Sequence, residues 1–314
     1  MRTICWTVVC FSSVALGLAQ KVKVPVGAGS VKDASDFVIS TRVSLVVLDV
    51  AVKDKSGTYV SGLGKDDFQI YEDHKLQQVT HFSHADTPVT VGLVVDTSGS
   101  MRPKRATVIT AALAFIQASN PKDEIFIVNF NDKVRPGLPL GQSFSDHIPT
   151  LRTALWMGNA EGRTALYDAL DYSLKHLEQG KMDRRTLVLV SDGGDNASST
   201  VKKQLLREIE ESRTTVYAIG IFEENDPDKN PALLRQLSSV TGGDYYEVKE
   251  LSDVLDMSRK IASDIRSRYT LAYAPPPSTS GHGIRTIKVT AAANISRQPL
   301  SVRTRTRYSI PDTP

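Results

Sequence analysis

Three short segments carry oxygen-bearing side chains where a folded chain could use them. Asp96-Thr-Ser98-Gly-Ser100 follows an apolar run from Val89 to Val95, Gly162-Arg-Thr164 opens a stretch of helical periodicity, and Ser191-Asp192-Gly-Gly194 follows a run from Thr186 to Val190. Asp96, Ser98, Ser100, Thr164 and Asp192 together offer two carboxylates and three hydroxyls, with no imidazole or thiolate. An all-oxygen set selects a hard cation, Mg2+ first and Mn2+ or Ca2+ as alternatives, over zinc. Mg2+ retains waters readily, so five protein groups acting partly through water can leave one position open for a carboxylate brought by a partner. If the aspartates bind through water and the hydroxyls bind directly, the metal keeps more of its charge and attracts an external acid more strongly. Each segment alone is also an ordinary turn-and-cap sequence, because Ser, Thr and Asp are preferred at both places. All three in order, each at the mouth of one sheet, point to a shared site.

Positioning such a site requires strands whose ends converge. The middle of the chain alternates between strand and helix periods, as an α/β sheet demands. Val89 to Val95 is nearly continuous in apolar residues, which suits a strand buried on both faces of a parallel sheet. A helix is predicted over Pro103 to Ala118, with Pro103 near its start. Then follow a strand Glu124 to Phe130, helix Thr164 to Leu177, strand Thr186 to Val190, helix Val201 to Glu211 and strand Thr215 to Ile221. A helix Ala232 to Val240, strand Tyr245 to Val248 and helix Ser252 to Ile265 close the α/β region. Ligands bind at the carboxyl ends of strands in such sheets, which is where Asp96 and Asp192 fall.

Both flanks of this region are β-rich. Val43 to Lys53, Tyr59-Val60, Phe68 to Tyr71 and Val79 to Phe82 are predicted strands on one side, and Tyr269 to Tyr273, Ile284 to Val289 and Leu300 to Tyr308 on the other. Neither flank is large enough to bury a core of its own, so the two are expected to pair into one β-sandwich, with two separate β modules as the alternative. The expected organisation is a signal peptide over 1–19, a flexible leader over 20–41, the first half of the sandwich over 42–86, an α/β domain over 87–267, the second half of the sandwich over 268–308 and a tail over 309–314.

A length of 314 residues, with 40% hydrophobic and 23% charged residues, is that of a folded chain with room for two domains. A net charge of +3 is too small for a nucleic-acid footprint without a clustered basic face. The one cluster, Arg297, Arg303, Arg305 and Arg307, alternates in its last three members with Val302, Thr304 and Thr306 and reads as a solvated strand face. Arg2 followed by the mostly apolar stretch Ile4 to Leu18, with small residues at Gly17 to Ala19, has the pattern of a secretory signal, with an uncleaved anchor as the alternative. Cys5 and Cys10 both lie inside it, so disulfides, thiolate catalysis and cysteine-bound zinc are not expected after cleavage. The expected location is secreted, periplasmic or in the cell envelope, without direct membrane insertion once the segment is removed. Asn196-Ala-Ser198 would accept a glycan only in a eukaryotic secretory context and reads as a plain loop.

Asp96-Thr-Ser98-Gly-Ser100, Thr164 and Ser191-Asp192-Gly resemble the metal-ion-dependent adhesion site, or MIDAS, of the von Willebrand factor type A (VWFA) domain family, over roughly Pro88 to Arg266. The resemblance implies a Rossmann-like, doubly wound sheet. It further implies that Ser98, Ser100 and, with ligand bound, Thr164 contact the metal, while Asp96 and Asp192 act through water. The Gly-x-x-x-x-Asp-Phe and Tyr-Glu-Asp segments around Gly64 to Asp73 are similar to bacterial VWFA-related proteins of the acidobacterial type. A sheet domain set within a β-sandwich also resembles integrin β chains. The implied function is adhesion through a protein partner that supplies an exposed acidic residue.

Two other classes compete. A metal-dependent hydrolase would need a base beside Asp96 or Asp192, yet His74, His81, His84, His147, His176 and His282 show neither metal nor triad spacing, and no Gly-rich phosphate loop follows any strand. His176, near a predicted helix end, is better explained as a partner of the helix dipole. The expectation is therefore a non-enzyme. A non-adhesive structural or assembly protein, whose metal only stabilises its own fold, is the other alternative.

Overall fold

The computed structural model describes residues 45–222, 227–276, 283–292 and 300–309. The expected signal segment and leader, Arg297, His282 and nearly all of the tail lie outside them. In chain order the elements are β1 Val46–Lys53, β2 Phe68–Glu72, β3 Lys75–Gln77, β4 His81–Ser83, β5 Thr90–Asp96, α1 Arg105–Ala118, β6 Glu124–Phe130, β7 Val134–Pro136, α2 Ile148–Trp156 and α3 Leu166–Leu177. They continue with β8 Arg185–Ser191, α4 Lys202–Glu211, β9 Thr214–Ile221, α5 Pro231–Thr241, β10 Tyr245–Val248, α6 Leu251–Arg266, β11 Tyr269–Tyr273, β12 Ile284–Ala291, β13 Ser301–Arg303 and β14 Arg307–Ser309.

The central sheet runs β10-β9-β8-β5-β6-β7, parallel except for the β6–β7 edge. Every residue of β5 is buried, the consequence of helices covering both faces. On one face Val91, Leu93 and Val95 pack with Val108 and Phe115 of α1, Leu151 and Leu155 of α2, and Val254 and Ile261 of α6. On the other, Val94, Phe126 and Leu189 pack with Leu166 and Leu170 of α3, Leu205 of α4 and Leu234 of α5. This is the doubly wound α/β architecture expected of the sequence. β5 lies between β8 and β6 and runs parallel to both, so the carboxyl ends of these three strands fall on the same edge of the sheet.

The remaining strands form two four-stranded sheets, β13-β1-β11-β4 and β14-β12-β2-β3. Each combines strands from before and after the α/β domain: β1 pairs antiparallel with β11, and β2 with β12. Leu48, Val50, Ile70, Leu271, Tyr273 and Val289 fill one core between them, so the two flanks share a sandwich instead of forming separate modules. The core also holds a polar knot. Glu72 accepts hydrogen bonds from Tyr273 Oη at 2.5 Å and Tyr308 Oη at 2.8 Å and pairs with Arg285.

Several local expectations need correction. The single strand expected from Leu300 to Tyr308 is two strands in different sheets, with Thr304 to Thr306 crossing between them. Of the alternating arginines there, only Arg307 is exposed; Arg303 and Arg305 are half-buried. Arg303 pairs with Asp244 at 2.5 Å, Arg305 donates to the Glu210 carbonyl and Arg307 lies 3.5 Å from Glu210 Oε1, all on the α/β domain. Pro103 sits in a 3-10 turn, Gly99–Lys104, that precedes α1. The helix expected from Thr164 begins two residues later at Leu166, leaving Thr164 in the preceding loop. Tyr59 makes only an isolated bridge to Lys53, and α2, β3 and β7 have no counterpart among the predicted elements. His176 does not act on the helix dipole alone: it contacts the rings of Phe126 and Phe144, and its Nε2 lies 2.9 Å from the Ser143 carbonyl oxygen.

Candidate functional site

β5 and β8 lie side by side, so their ends deliver Asp96 and Ser191-Asp192 to one place. Asp96 is 1% exposed and ends β5; its Oδ1 accepts from the Ser98 amide at 2.9 Å, which folds Asp96-Thr-Ser98 into a tight turn. Thr97 fastens this turn to the neighbouring strand, its amide and its hydroxyl both donating to the Phe130 carbonyl. The second oxygen of Asp96 accepts from the Ser191 hydroxyl at 2.7 Å, and Ser191 Oγ accepts in turn from the Gly193 amide at 2.9 Å.

From Asp96 the polar groups continue without a break. Ser98 Oγ lies 3.1 Å from Ser100 Oγ, and Ser100 Oγ donates to Asp192 Oδ2 at 2.6 Å. Asp192 is itself 1% exposed, and its Oδ1 accepts from the Gly194 amide at 3.0 Å. Glycine is required after it: Gly193 has φ +82°, and a Cβ there would stand 2.6 Å from the Asn230 carbonyl oxygen.

Thr164 arrives from the third loop. Gly162, at φ +80°, turns that loop so that its carbonyl accepts from the Gly99 amide at 3.0 Å, inside the Asp96 to Ser100 segment. Thr164 is buried, and its backbone is fixed by two consecutive residues: Asn196 Oδ1 accepts from the Thr164 amide at 2.9 Å, while the Thr164 carbonyl accepts from the amides of Asn196 and Ala197. Four of the five candidate residues, Asp96, Ser98, Ser100 and Asp192, are thus linked by hydrogen bonds. Thr164 is brought alongside through the Gly162–Gly99 contact.

Two contributors escape a reading of the sequence alone. Ser191 sets the orientation of Asp96; it stands in the motif but not among the candidate ligands. Asn196 clamps the Thr164 loop, and its side-chain amide also donates to Asp228 at 3.1 Å. The only sequence signal for Asn196 is a glycosylation tripeptide, which points away from this role.

The electrostatics are unbalanced at Asp96. Burial, and then the negative charge of Asp192, push its carboxyl up to about 7, against hydrogen bonds from Ser98 and Ser191 that act in the opposite direction. Among the described residues no lysine, arginine or histidine pairs with Asp96. Nor do those residues include a cluster of three or more His, Cys, Asp or Glu suited to a metal. A cation at this place would therefore draw on hydroxyl oxygens, and the serines beside the two carboxylates supply them.

The sequence profile of the von Willebrand factor type A domain matches residues 90–260, more than half of the chain. No curated protein matches it. Among solved structures, a von Willebrand factor type A protein from Catenulispora acidiphila is similar with a TM-score of 0.52 at 15% identity, over 77% of this chain and 73% of that one. Proximal thread matrix protein 1 from the mussel byssus, with a zinc-occupied MIDAS motif, gives 0.47 at 16% identity, over 58% of this chain and 48% of that one. An aerotolerance-related membrane protein from Bacteroides fragilis gives 0.45 at 15%, over 56% and 98%. The first likeness shows a common fold. Domains of this type mediate protein interaction and typically bind a divalent metal. No described helix is long and apolar enough to cross a membrane. The chain belongs to the von Willebrand factor type A domain family.

Proposed function

We propose that this protein binds a partner protein through a divalent cation, Mg2+ in the first instance, held at the ends of β5 and β8, with the partner supplying a carboxylate. The observation that carries the reading is the linked set Asp96, Ser98, Ser100 and Asp192: two buried carboxylates, one bonded to the Ser98 amide and the other to the Ser100 hydroxyl, with the two serine hydroxyls 3.1 Å apart between them and Thr164 alongside. Ser98, Ser100 and Thr164 would hold the ion, with Asp96 and Asp192 orienting its waters. The ion supplies the positive charge on which an external carboxylate closes. Hard oxygen donors fit Mg2+, Mn2+ or Ca2+ better than zinc.

The chain's own residues do the preparatory work. Ser191 and the Ser98 amide fix both oxygens of Asp96, so no rotamer freedom is left to lose on binding. The rigid turn at Gly193 and the Asn196 clamp hold Asp192 and Thr164 in the same way. We read the site as one of recognition and not catalysis. Three of the described histidines are engaged in other contacts, with His84 stacked on Tyr269, His147 beside Thr150 and His176 beside Ser143. We further assign the protein to the secreted or envelope fraction, on the composition of the segment Ile4 to Leu18.

The test uses Mn2+-loaded protein and acetate. If a carboxylate displaces a coordinated water, water-proton relaxation falls saturably as acetate is added, and the Asp96→Ala, Ser98→Ala double variant shows no such effect. Bound Mn2+ with relaxation indifferent to acetate would reduce the site to a structural cation.

A further inference from the structure

At the opposite end of the parallel sheet, about 20 Å from the candidate site by the length of β8, the α/β domain meets the sandwich over a cavity of about 340 Å3. Its volume falls at the lower end of the range of small-molecule sites. One wall is the outward face of the sheet β13-β1-β11-β4, with Val47 and Asp49 of β1 and Thr270 of β11; the other is formed by the amino ends of β8 and β9.

The lining is basic and rich in hydroxyls. Arg184, Arg213 and Arg305 face it with Asp49 and Asp183, and His81 stands among them. Asp49 is already engaged, 3.4 Å from Arg184 Nε and accepting from the Thr270 hydroxyl. Asp183 is exposed. One buried polar side chain on the lining, Thr304, lacks a hydrogen-bond partner, whereas Arg184 is engaged. The Arg184 side chain is 9% exposed; its Nη2 donates to the Ile265 carbonyl at 2.5 Å, and its Nε is ion-paired with Asp49. Thr304, 8% exposed, has a hydroxyl with no partner. Burial, and then the like charge of Arg213, lower the hold of Arg305 on its proton, with Tyr273, Tyr308 and Glu210 acting the other way, so these two guanidiniums are close enough to repel. A buried donor without a partner costs free energy that a bound acceptor would recover.

We propose that this cavity binds a small oxyanion-bearing molecule, its phosphate or carboxylate group seated against Arg184, Arg213 and Arg305 and accepting from the Thr304 hydroxyl. The ligand reaches it past Arg213 at the exposed rim. Because the lining comes from both the sandwich and the α/β domain, an occupied cavity would tie the two together. The inference is independent of the cation site.

The experiment is a titration of the full 15N-labelled chain with inorganic phosphate and, separately, with succinate, at ionic strength fixed by chloride. The expected result is saturable shifts of the Thr214, Thr215 and Thr304 amides with at least one of the two, and which one saturates identifies the anion class. Arg213→Gln, at an exposed position that the fold does not need, should weaken the affinity roughly tenfold, the scale of one charge-assisted hydrogen bond. Arg207→Gln on exposed α4 and Asp96→Ala should leave the affinity unchanged. Absence of saturable shifts with both anions, or equal weakening by Arg213→Gln and Arg207→Gln, would overturn the proposal.

Discussion

Asp96 and Asp264 are both carboxylates removed from water, and the chain treats them in opposite ways. Asp264, in the last turn of α6, lies 3.2 Å from Arg268 Nη2 and accepts from Tyr217 Oη at 2.9 Å. Arg268 is itself 2% exposed and donates further to the carbonyls of Asp49 and Gly242, joining α6, the sheet and the sandwich at one point. Burial works against its charge, but Tyr217, Asp264 and Asp49 together hold its proton more tightly. Asp96 has only hydroxyl and amide donors and faces a second carboxylate. Where a fixed guanidinium offsets the burial of charge, the network is a structural joint. Where no cationic side chain among the described residues pairs with the carboxylate, the proposed reading is that the balancing charge comes from solution, at the mouth of β5 and β8.

The largest expected effect lies on the structural side. Arg268→Met should destabilise the protein by about 3 to 5 kcal/mol, because it strands Asp264 without its counter-charge, and Mg2+ should not restore the loss. Chemical denaturation with and without the cation checks both halves of this prediction. On the ligand side, Asp96→Asn should leave the cation-free protein as stable as the parent or more so, since it removes a buried charge repelled by Asp192. It should also abolish the stabilisation by Mg2+, which in the parent amounts to about 2.7 kcal/mol at a hundredfold excess over the dissociation constant.

Acidity sharpens the contrast next. The carboxyl of Asp96 is raised above its unfolded value, so its contribution to stability is full below about pH 4 and is lost as pH rises through about 7. Without cation the parent should therefore weaken over that window relative to Asp96→Asn. With saturating Mg2+ the difference should shrink, and binding near pH 6 should release a proton, measurable as a buffer-dependent heat. The smallest effect belongs to a pair that is neither buried nor short of charge. Lys175 and Asp171, 2.6 Å apart on the solvent side of α3, should contribute at most about 0.5 kcal/mol when Lys175→Ala is compared with the parent by thermal unfolding.

How much of this could be read from the sequence follows from the same physics. The strand before Asp96 and the one before Asp192 are legible because burial on both faces makes them continuously apolar, and their acidic ends mark the mouth of the sheet. β6, β10 and β11 also have the predicted bounds. The pairing of the two β-rich flanks also follows from each being too small alone. Asn196 is not legible, because its work is done by one side chain reaching a backbone amide 32 residues away, and no periodicity records that. α2 is hidden because only Leu151, Ala154 and Leu155 of its nine residues are buried, too few to establish a helical period. The alternation of Arg303, Arg305 and Arg307 misleads for a related reason. An exposed strand face and a row of arginines facing another domain have the same pattern, and only the partners Asp244 and Glu210 distinguish them.

The most direct measurement is a calorimetric titration of Mg2+ into the full chain beside the Asp96→Ala, Ser98→Ala double variant, with the fold of each checked by circular dichroism. Saturable binding to the parent and none to the folded variant is the expected result. Equal binding to both, or none to the parent, would contradict it.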